Sequence, residues 1–271
     1  MSTRIGPVIP AACLVVAVLA GPPAATAGEA GRELARRVYQ RADGEDASAR
    51  ITMVLREPGH RPRSRRLFSY RLDRPEGEVW SLVRFTSPGD VAGVGLLTRN
   101  RPGGGAEQRL FLPALERSRR IAGERRGGRF VGSDLFYQDL RERAPELDRH
   151  RLRGREPVEG IPCRVLESVP KDPGTSVYSR VLRWVHPESL VPLRVDYFFP
   201  GREAPVKRLR VQRLKRVQGY WTVMRSRMTD LRSEHRTVMR VERIVYDKGL
   251  PRRLFSRGFL EDPAREAPFR P

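Results

Sequence analysis

Cysteine is almost missing from this chain: Cys13 and Cys163 are the only two in 271 residues. Cys13 lies in an apolar leader, so the rest of the chain carries one thiol. It can form no intramolecular disulfide and must rest on its own core. Cys163 sits between Pro162 and Arg164 in a strand-like run and reads as a small buried hydrophobe. Lysine is scarce as well. Lys171, Lys207, Lys215 and Lys248 stand among 53 basic residues, and the others are arginine. Histidine is limited to His60, His150, His186 and His235, all in turn-like or charged contexts where a solvated ring is expected. There is no Gly-x-Ser-x-Gly, no His-Glu-x-x-His and no Cys-x-x-Cys, which removes the usual signatures of a serine hydrolase, a zinc peptidase or a thiol redox enzyme. Gly127 to Gly132 mimics a phosphate loop, but no clear strand precedes it and no nucleotide-binding helix follows. Ser133, Asp134 and Asp139 have no spacing that requires hydrolytic chemistry. The expectation is a protein that is not an enzyme and uses no cofactor and no metal.

Positive charge is abundant, with a formal net charge of +21. One reading is the codon bias of a GC-rich genome, since alanine, glycine and proline are also frequent. The other is attraction to a polyanion, either nucleic acid through counterion release or an anionic membrane surface. The amino terminus decides between these partners. Arg4 forms a short positive region, and Val8 to Ala20 an apolar run broken by Pro10. That run is too short to cross about 30 Å of hydrocarbon. Ala25-Thr26-Ala27 has the small-x-small form of a cleavage site, so cleavage is expected before Gly28. Leu14-Val15-Val16 continue the apolar run past Cys13, whereas a lipidated cysteine closes it. The expected organisation is a removed signal over 1–27, a single domain over 28–271 and a periplasmic location. An exported chain without RNP-like aromatics or zinc-ligand spacing is expected to meet lipid headgroups and not nucleic acid.

Periodicity points to a mainly β fold. Leu34, Val38 and Tyr39 have helical spacing and predict a helix over Ala30 to Arg41. The period then becomes two, at Ile51 to Leu55, Phe68 to Leu72 and Val79 to Phe85. It returns around Leu182 and Trp184, at Val191 to Tyr197, Leu209 to Val211, Trp221 to Met228 and Val238 to Tyr246. Such a meander is an antiparallel sheet with one apolar face and one arginine-rich face, which either closes or is covered by helices. Phe111 to Leu140 keeps no period and holds Pro113, Gly123, Gly127, Gly128 and Gly132. An irregular insertion of that length inside a domain is a lid or binding loop, expected over 113–141.

Several ordered segments carry a family resemblance. They are Phe85-Thr86-Ser87-Pro88-Gly89-Asp90-Val91-Ala92-Gly93, Phe111-Leu112-Pro113-Ala114-Leu115, Arg119-Arg120-Ile121-Ala122, Phe130-Val131-Gly132-Ser133-Asp134 and Tyr137-Gln138-Asp139-Leu140. Val181 to Tyr197, Gly219-Tyr220-Trp221-Thr222, Val238 to Tyr246 and Gly249-Leu250-Pro251 with Leu254-Phe255 continue them. Together they resemble the LolA-like outer-membrane lipoprotein-sorting family, in the divergent branch found beside RND or MMPL-type exporters. The resemblance implies a LolA/LolB-like incomplete antiparallel β-barrel, mainly β with some α, covered by an amino-terminal helix and a helical or irregular lid. It also implies a hydrophobic cavity for acyl chains of lipoproteins or phospholipids. Implied partners are an inner-membrane RND, MMPL or ABC-type exporter and an outer-membrane acceptor. The family includes anchored members with a lipobox; this chain has none and resembles the soluble shuttle type.

Candidate cavity residues are Phe68, Tyr70, Leu72, Phe85, Phe111, Phe130, Trp184, Leu193, Tyr197, Trp221, Met224 and Met228. Their aromatic rings and flexible thioethers suit a ligand of variable shape. The same residues could instead fill the core against covering helices. Arg117, Arg119, Arg120, Arg125, Arg126 and Arg129 crowd the expected lid and are candidates for contact with headgroups or an acidic partner protein. A sixteen-carbon acyl chain carries roughly 12 kcal/mol of hydrophobic penalty in water, at about 0.8 kcal/mol per methylene. Moving it from a cavity to a bilayer is close to neutral, so a carrier needs no catalytic group. The alternatives are a lipid-acting hydrolase on the same fold and a basic polyanion-binding module.

Overall fold

Strand follows strand along one antiparallel sheet in a computed structural model that describes residues 26–271 apart from 102 and 104. The expected signal therefore lies almost wholly outside the described residues. Helix α1 (Ala27–Tyr39) is followed by β1 (Asp46–Arg56), β2 (Arg63–Asp73), β3 (Val79–Ser87), β4 (Gly95–Asn100), β5 (Ala106–Leu112) and β6 (Arg117–Arg120). After a crossing segment come β7 (Asp148–Val158), β8 (Ile161–Pro170), β9 (Arg180–Val185), β10 (Pro192–Phe198), β11 (Lys207–Val217), β12 (Tyr220–Asp230) and β13 (Arg236–Tyr246), then the short α2 (Arg257–Glu261). The strand order is β6-β5-β4-β3-β2-β1-β13-β12-β11-β10-β9-β8-β7. The chain thus begins in the middle of the sheet, steps out to the β6 edge, crosses to the far edge and steps back until β13 pairs with β1. The curved sheet is not closed, and the fold is an incomplete barrel.

Helix α1 begins three residues before the expected start because Thr26 caps it. The Thr26 hydroxyl accepts from the Glu29 amide at 3.2 Å, and the Glu29 carboxylate accepts from the Thr26 amide at 2.8 Å. It ends two residues early, where Arg41 folds back to donate to the Val38 carbonyl at 3.2 Å. Leu34, Ala35 and Val38 pack on Leu152, Leu166 and Val185. The helix lies so close to β7 that a Cβ at Gly31 would stand 2.7 Å from the Arg151 amide nitrogen.

The crossing segment, residues 121–147, is a series of short 3-10 turns. Phe130, Val131, Leu135, Tyr137 and Leu140 of this segment pack against Met53, Leu55, Leu67, Phe85 and Leu96, filling the inner face of β1–β4. The outer face of β2–β5 is apolar too. Tyr70, Leu82, Leu97 and Phe111 lie there beneath Leu250, Leu254, Phe255 and Leu260 of the carboxy-terminal segment. Arg84 fastens that cover. It is 1% exposed, pairs with the fully buried Glu266 at 3.2 Å and donates to the carbonyl of Leu260 at 2.6 Å. The outer face of β11–β13, by contrast, keeps its arginines in water.

Candidate ligand cavity

Between the splayed halves of the sheet lies a mainly apolar, open cavity of 430 Å³. Ala47, Ala49 and Ile51 of β1 form one wall, with Val241, Ile244 and Tyr246 of β13. Trp221, Val223 and Ser226 of β12, Leu209 and Val211 of β11, and Val191 and Val195 face them. The volume falls in the usual range of small-ligand pockets, about 300–1,000 Å³. A second space of 240 Å³ under α1 shares Arg41, Glu142 and Pro192 with it. A groove of 690 Å³ beside the start of α1 is larger; Glu29, Arg32, Glu33, Arg36 and Lys171 are among the residues that line it, and it lies away from the sheet interior.

One end of the cavity has a charged rim. Arg71, on the inner face at the end of β2, donates to Asp43 at 2.8 Å and to Asp73 at 3.0 Å, while Arg41 reaches Asp43 at 3.2 Å. Burial pushes the Asp73 carboxyl up to about 6, and the neighbouring Asp43 and Glu142 add to the rise against the pull of Arg71. Glu142 comes from the crossing segment and is tied to β4 by its amide, which donates to Asn100 at 3.1 Å. The rim therefore joins the end of the crossing segment to the sheet.

Three polar contacts hold the other end of the crossing segment. Lys207, fully buried on β11, reaches Asp139 at 2.7 Å and the Tyr178 hydroxyl at 2.9 Å, and its ammonium lies 3.6 Å from the Phe136 ring centroid. Asp134 accepts from Thr237 at 2.8 Å and stands 2.7 Å from His235 Nδ1. Arg129 reaches Asp230 at 3.2 Å. Burial would raise the Asp230 carboxyl, yet the side chain and backbone amide of Arg232 bring it down to about 2. Asp134 and Asp139 thus tie the crossing segment to β11 and β13. Ser133 turns its hydroxyl to the Phe130 carbonyl at 2.7 Å. Among the described residues no group of three or more His, Cys, Asp or Glu is placed to hold a metal, and no helix is long and apolar enough to cross a membrane.

The expected cavity residues scatter. Of the twelve, only Trp221 lines the cavity. Phe85 and Phe130 meet each other under the lid with ring centroids 5.5 Å apart, and Tyr197 packs on Tyr178 at 4.7 Å. Phe68, Tyr70, Leu72 and Phe111 face the other way, beneath the carboxy-terminal segment, because strand alternation puts them opposite Leu67. Trp184 is paired with Arg194 across the strand and lies opposite the face that carries Val195; its indole donates to Glu156 at 2.8 Å. Leu193 packs in the same cluster as Trp184, and Met228 is buried beside Leu209. Met224 borders a pocket on the outer side of the sheet. The rim residues Arg41, Asp43, Arg71, Asp73 and Glu142 were not anticipated, although charged residues two apart on one strand face, Arg71 and Asp73, were a usable signal.

Among the arginines expected on the lid, Arg117, Arg119 and Arg120 belong to the edge strand β6 instead. Arg126 is spent on the carbonyls of Gly123 and Gly174, both at 2.6 Å. Arg117, Arg119, Arg120 and Arg125 are exposed. Two histidines depart from expectation. His235 is 5% exposed, and His150 is half-buried between Ser168 at 2.9 Å and the Pro145 carbonyl at 2.8 Å, with burial lowering its pKa. Cys163 is fully buried, as its context implied.

Known proteins share this architecture. A family model described as "Uncharacterized protein" matches residues 77–262. A DUF1329 family protein from Desulfovibrio piger superposes with a TM-score of 0.82 at 29% identity, over 87% of this chain and 100% of that one. A putative outer membrane lipoprotein-sorting protein domain from Vibrio parahaemolyticus gives 0.81 at 27% identity, over 86% and 99%. A LolA superfamily protein from Nitrosomonas europaea shares the fold, with 0.66 at 19% identity over 87% and 100%. No curated protein matches.

Proposed function

This chain belongs to the LolA-like outer-membrane lipoprotein-sorting family, and from that premise we propose that it is a periplasmic carrier of acyl chains. Cleavage before Gly28 releases it, and the cavity takes the chains of lipoproteins or lipids from an inner-membrane exporter of RND, MMPL or ABC type. It delivers them to an acceptor at the outer membrane. The exposed Arg117, Arg119, Arg120 and Arg125 on and beside the β6 edge meet anionic headgroups or an acidic partner.

The observation that carries this reading is the 430 Å³ apolar cavity between the sheet's two halves. Its volume lies in the range of small-ligand pockets, about 300–1,000 Å³. Loading draws on burial alone, and the lid can yield apolar surface to the ligand by lifting Phe130, Leu135 and Tyr137 from the inner face.

The test is native mass spectrometry with lipid extraction on protein taken from the periplasm. A co-purifying lipid or acylated peptide near one to one is expected, together with its loss in Ile51→Trp, which fills the cavity wall. Protein that is consistently empty, and that takes up nothing from liposomes, overturns the carrier reading.

A further inference from the structure

The hairpin of β12 and β13 is joined over only part of its length. Its ladder runs from Thr229↔Arg236 to Arg225↔Arg240 and stops. Beyond it, β12 stays with β11 through Val217↔Tyr220 and β13 stays with β1 through Ala47↔Tyr246, so the two strands part. Irregularities in register surround the split, at Val211 to Leu214 in β11 and at Arg50/Ile51 in β1. Bulges bend a strand and end its pairing, and they recur beside binding sites. The far end of the seam is held by side chains, with Tyr220 and Tyr246 rings 4.9 Å apart and the Thr222 and Tyr246 hydroxyls 2.8 Å apart.

Two spaces meet at this seam. On the inside is the apolar cavity. On the outside is a pocket of 540 Å³ lined by Gln212, Arg213, Met224, Arg225, Arg240 and Val241. Val241 borders both. The three arginines are exposed and lie side by side on three neighbouring strands, Arg213 opposite Arg225 and Arg225 opposite Arg240. Like charges directly opposite each other in a sheet destabilise it. No acid among the described residues pairs with any of the three, whereas Arg194 and Arg208 nearby share Asp196. The three guanidinium groups thus form an exposed row without a carboxylate partner.

We propose that this outer pocket seats the phosphate headgroup of an anionic lipid whose acyl chain passes through the β12/β13 seam into the cavity. The proposal rests on the carrier reading and specifies its ligand. Guanidinium forks match phosphate oxygens in pairs, and three of them suit a phosphomonoester better than a zwitterionic headgroup whose ammonium they would repel. Met224 and Val241, the two apolar residues of its lining, offer the passage that a chain beginning at the phosphate requires.

The test compares soluble dihexanoyl phosphatidic acid, dihexanoyl phosphatidylcholine and inorganic phosphate by titration calorimetry, on the wild type and on Arg213→Gln/Arg225→Gln/Arg240→Gln. Losing one hydrogen bond to a charged group costs about tenfold in affinity, so the wild type should prefer phosphatidic acid by at least about that factor. The triple variant should lose the preference while binding phosphatidylcholine as before. Arg225→Gln alone, at the centre of the row, should lose part of it and guards against misfolding of the triple variant. A folded triple variant that keeps the preference overturns the headgroup site and leaves the carrier reading intact. Phosphate binding as tight as phosphatidic acid makes the pocket a free-anion site and overturns the lipid seat. If neither lipid binds the wild type, this inference falls, while the carrier reading stands or falls with the native mass spectrometry and liposome uptake.

Discussion

Arg84 and Glu266 show what one buried charge does for this fold. Both are at most 1% exposed, and they join β3 to the carboxy-terminal cover, 182 residues away in sequence. Burial pushes the Glu266 carboxyl up while Arg84 pulls it back down. Removing one partner of such a pair leaves a charge without compensation, at about 3–5 kcal/mol. Glu266→Leu is therefore expected to lower unfolding stability in urea by that much; a loss below about 1 kcal/mol would mean that the carboxyl is already protonated in the folded protein. The same region explains why the cavity residues were hard to read. Period-two alternation shows that Phe68, Tyr70 and Leu72 share a face, but it does not say which face is inner when Leu67 on the other side is buried as well. Choosing the larger rings selected the outer face. The small lining residues Ala47, Ala49 and Ser69 carry no size signal, yet they make the space.

Part of the crossing segment was legible, because 113–141 keeps no steady period, yet residues 117–120 pair as the edge strand β6 and the irregular stretch runs from 121 to 147. Its anchors were not legible. Asp139 meets Lys207 across 68 residues and Asp134 meets His235 across 101, distances over which spacing says nothing. Lys207 is one of four lysines in the chain and the one that is fully buried, so it is the bolt to draw. Lys207→Met should leave Asp139 buried without its cation and loosen the lid more than the sheet. Hydrogen exchange is expected to speed up across residues 128–140 while β1 and β13 keep their protection, and acyl-chain uptake from liposomes should become faster. Equal loss of protection in sheet and lid would show that Lys207 supports the fold as a whole and does not control the lid. The split between β12 and β13 was equally hidden, since each strand alone has an unbroken β pattern.

On the scale of the whole molecule, the net charge of +21 becomes a statement about where charge lies. The sequence suggested one apolar and one arginine-rich face, and β10–β13 have that form; β2–β5 do not, because the carboxy-terminal segment hides a second apolar face. The exposed side then carries like-charged neighbours at Arg194↔Arg210, Arg210↔Arg227, Arg213↔Arg225 and Arg225↔Arg240. Each such pair destabilises the sheet, and the cost is screened as the Debye length falls from about 10 Å at 0.1 M salt to about 3 Å at 1 M. Sodium chloride should therefore raise the melting temperature, by about 2–4 °C for each kcal/mol recovered in a domain of this size. The Arg213→Gln/Arg225→Gln/Arg240→Gln variant should start higher and respond less. An identical salt slope in the variant would place the repulsion elsewhere on the surface. A flatter slope would mean that the fold tolerates a destabilising charge row at the place where the sheet opens, as expected if an anion completes it.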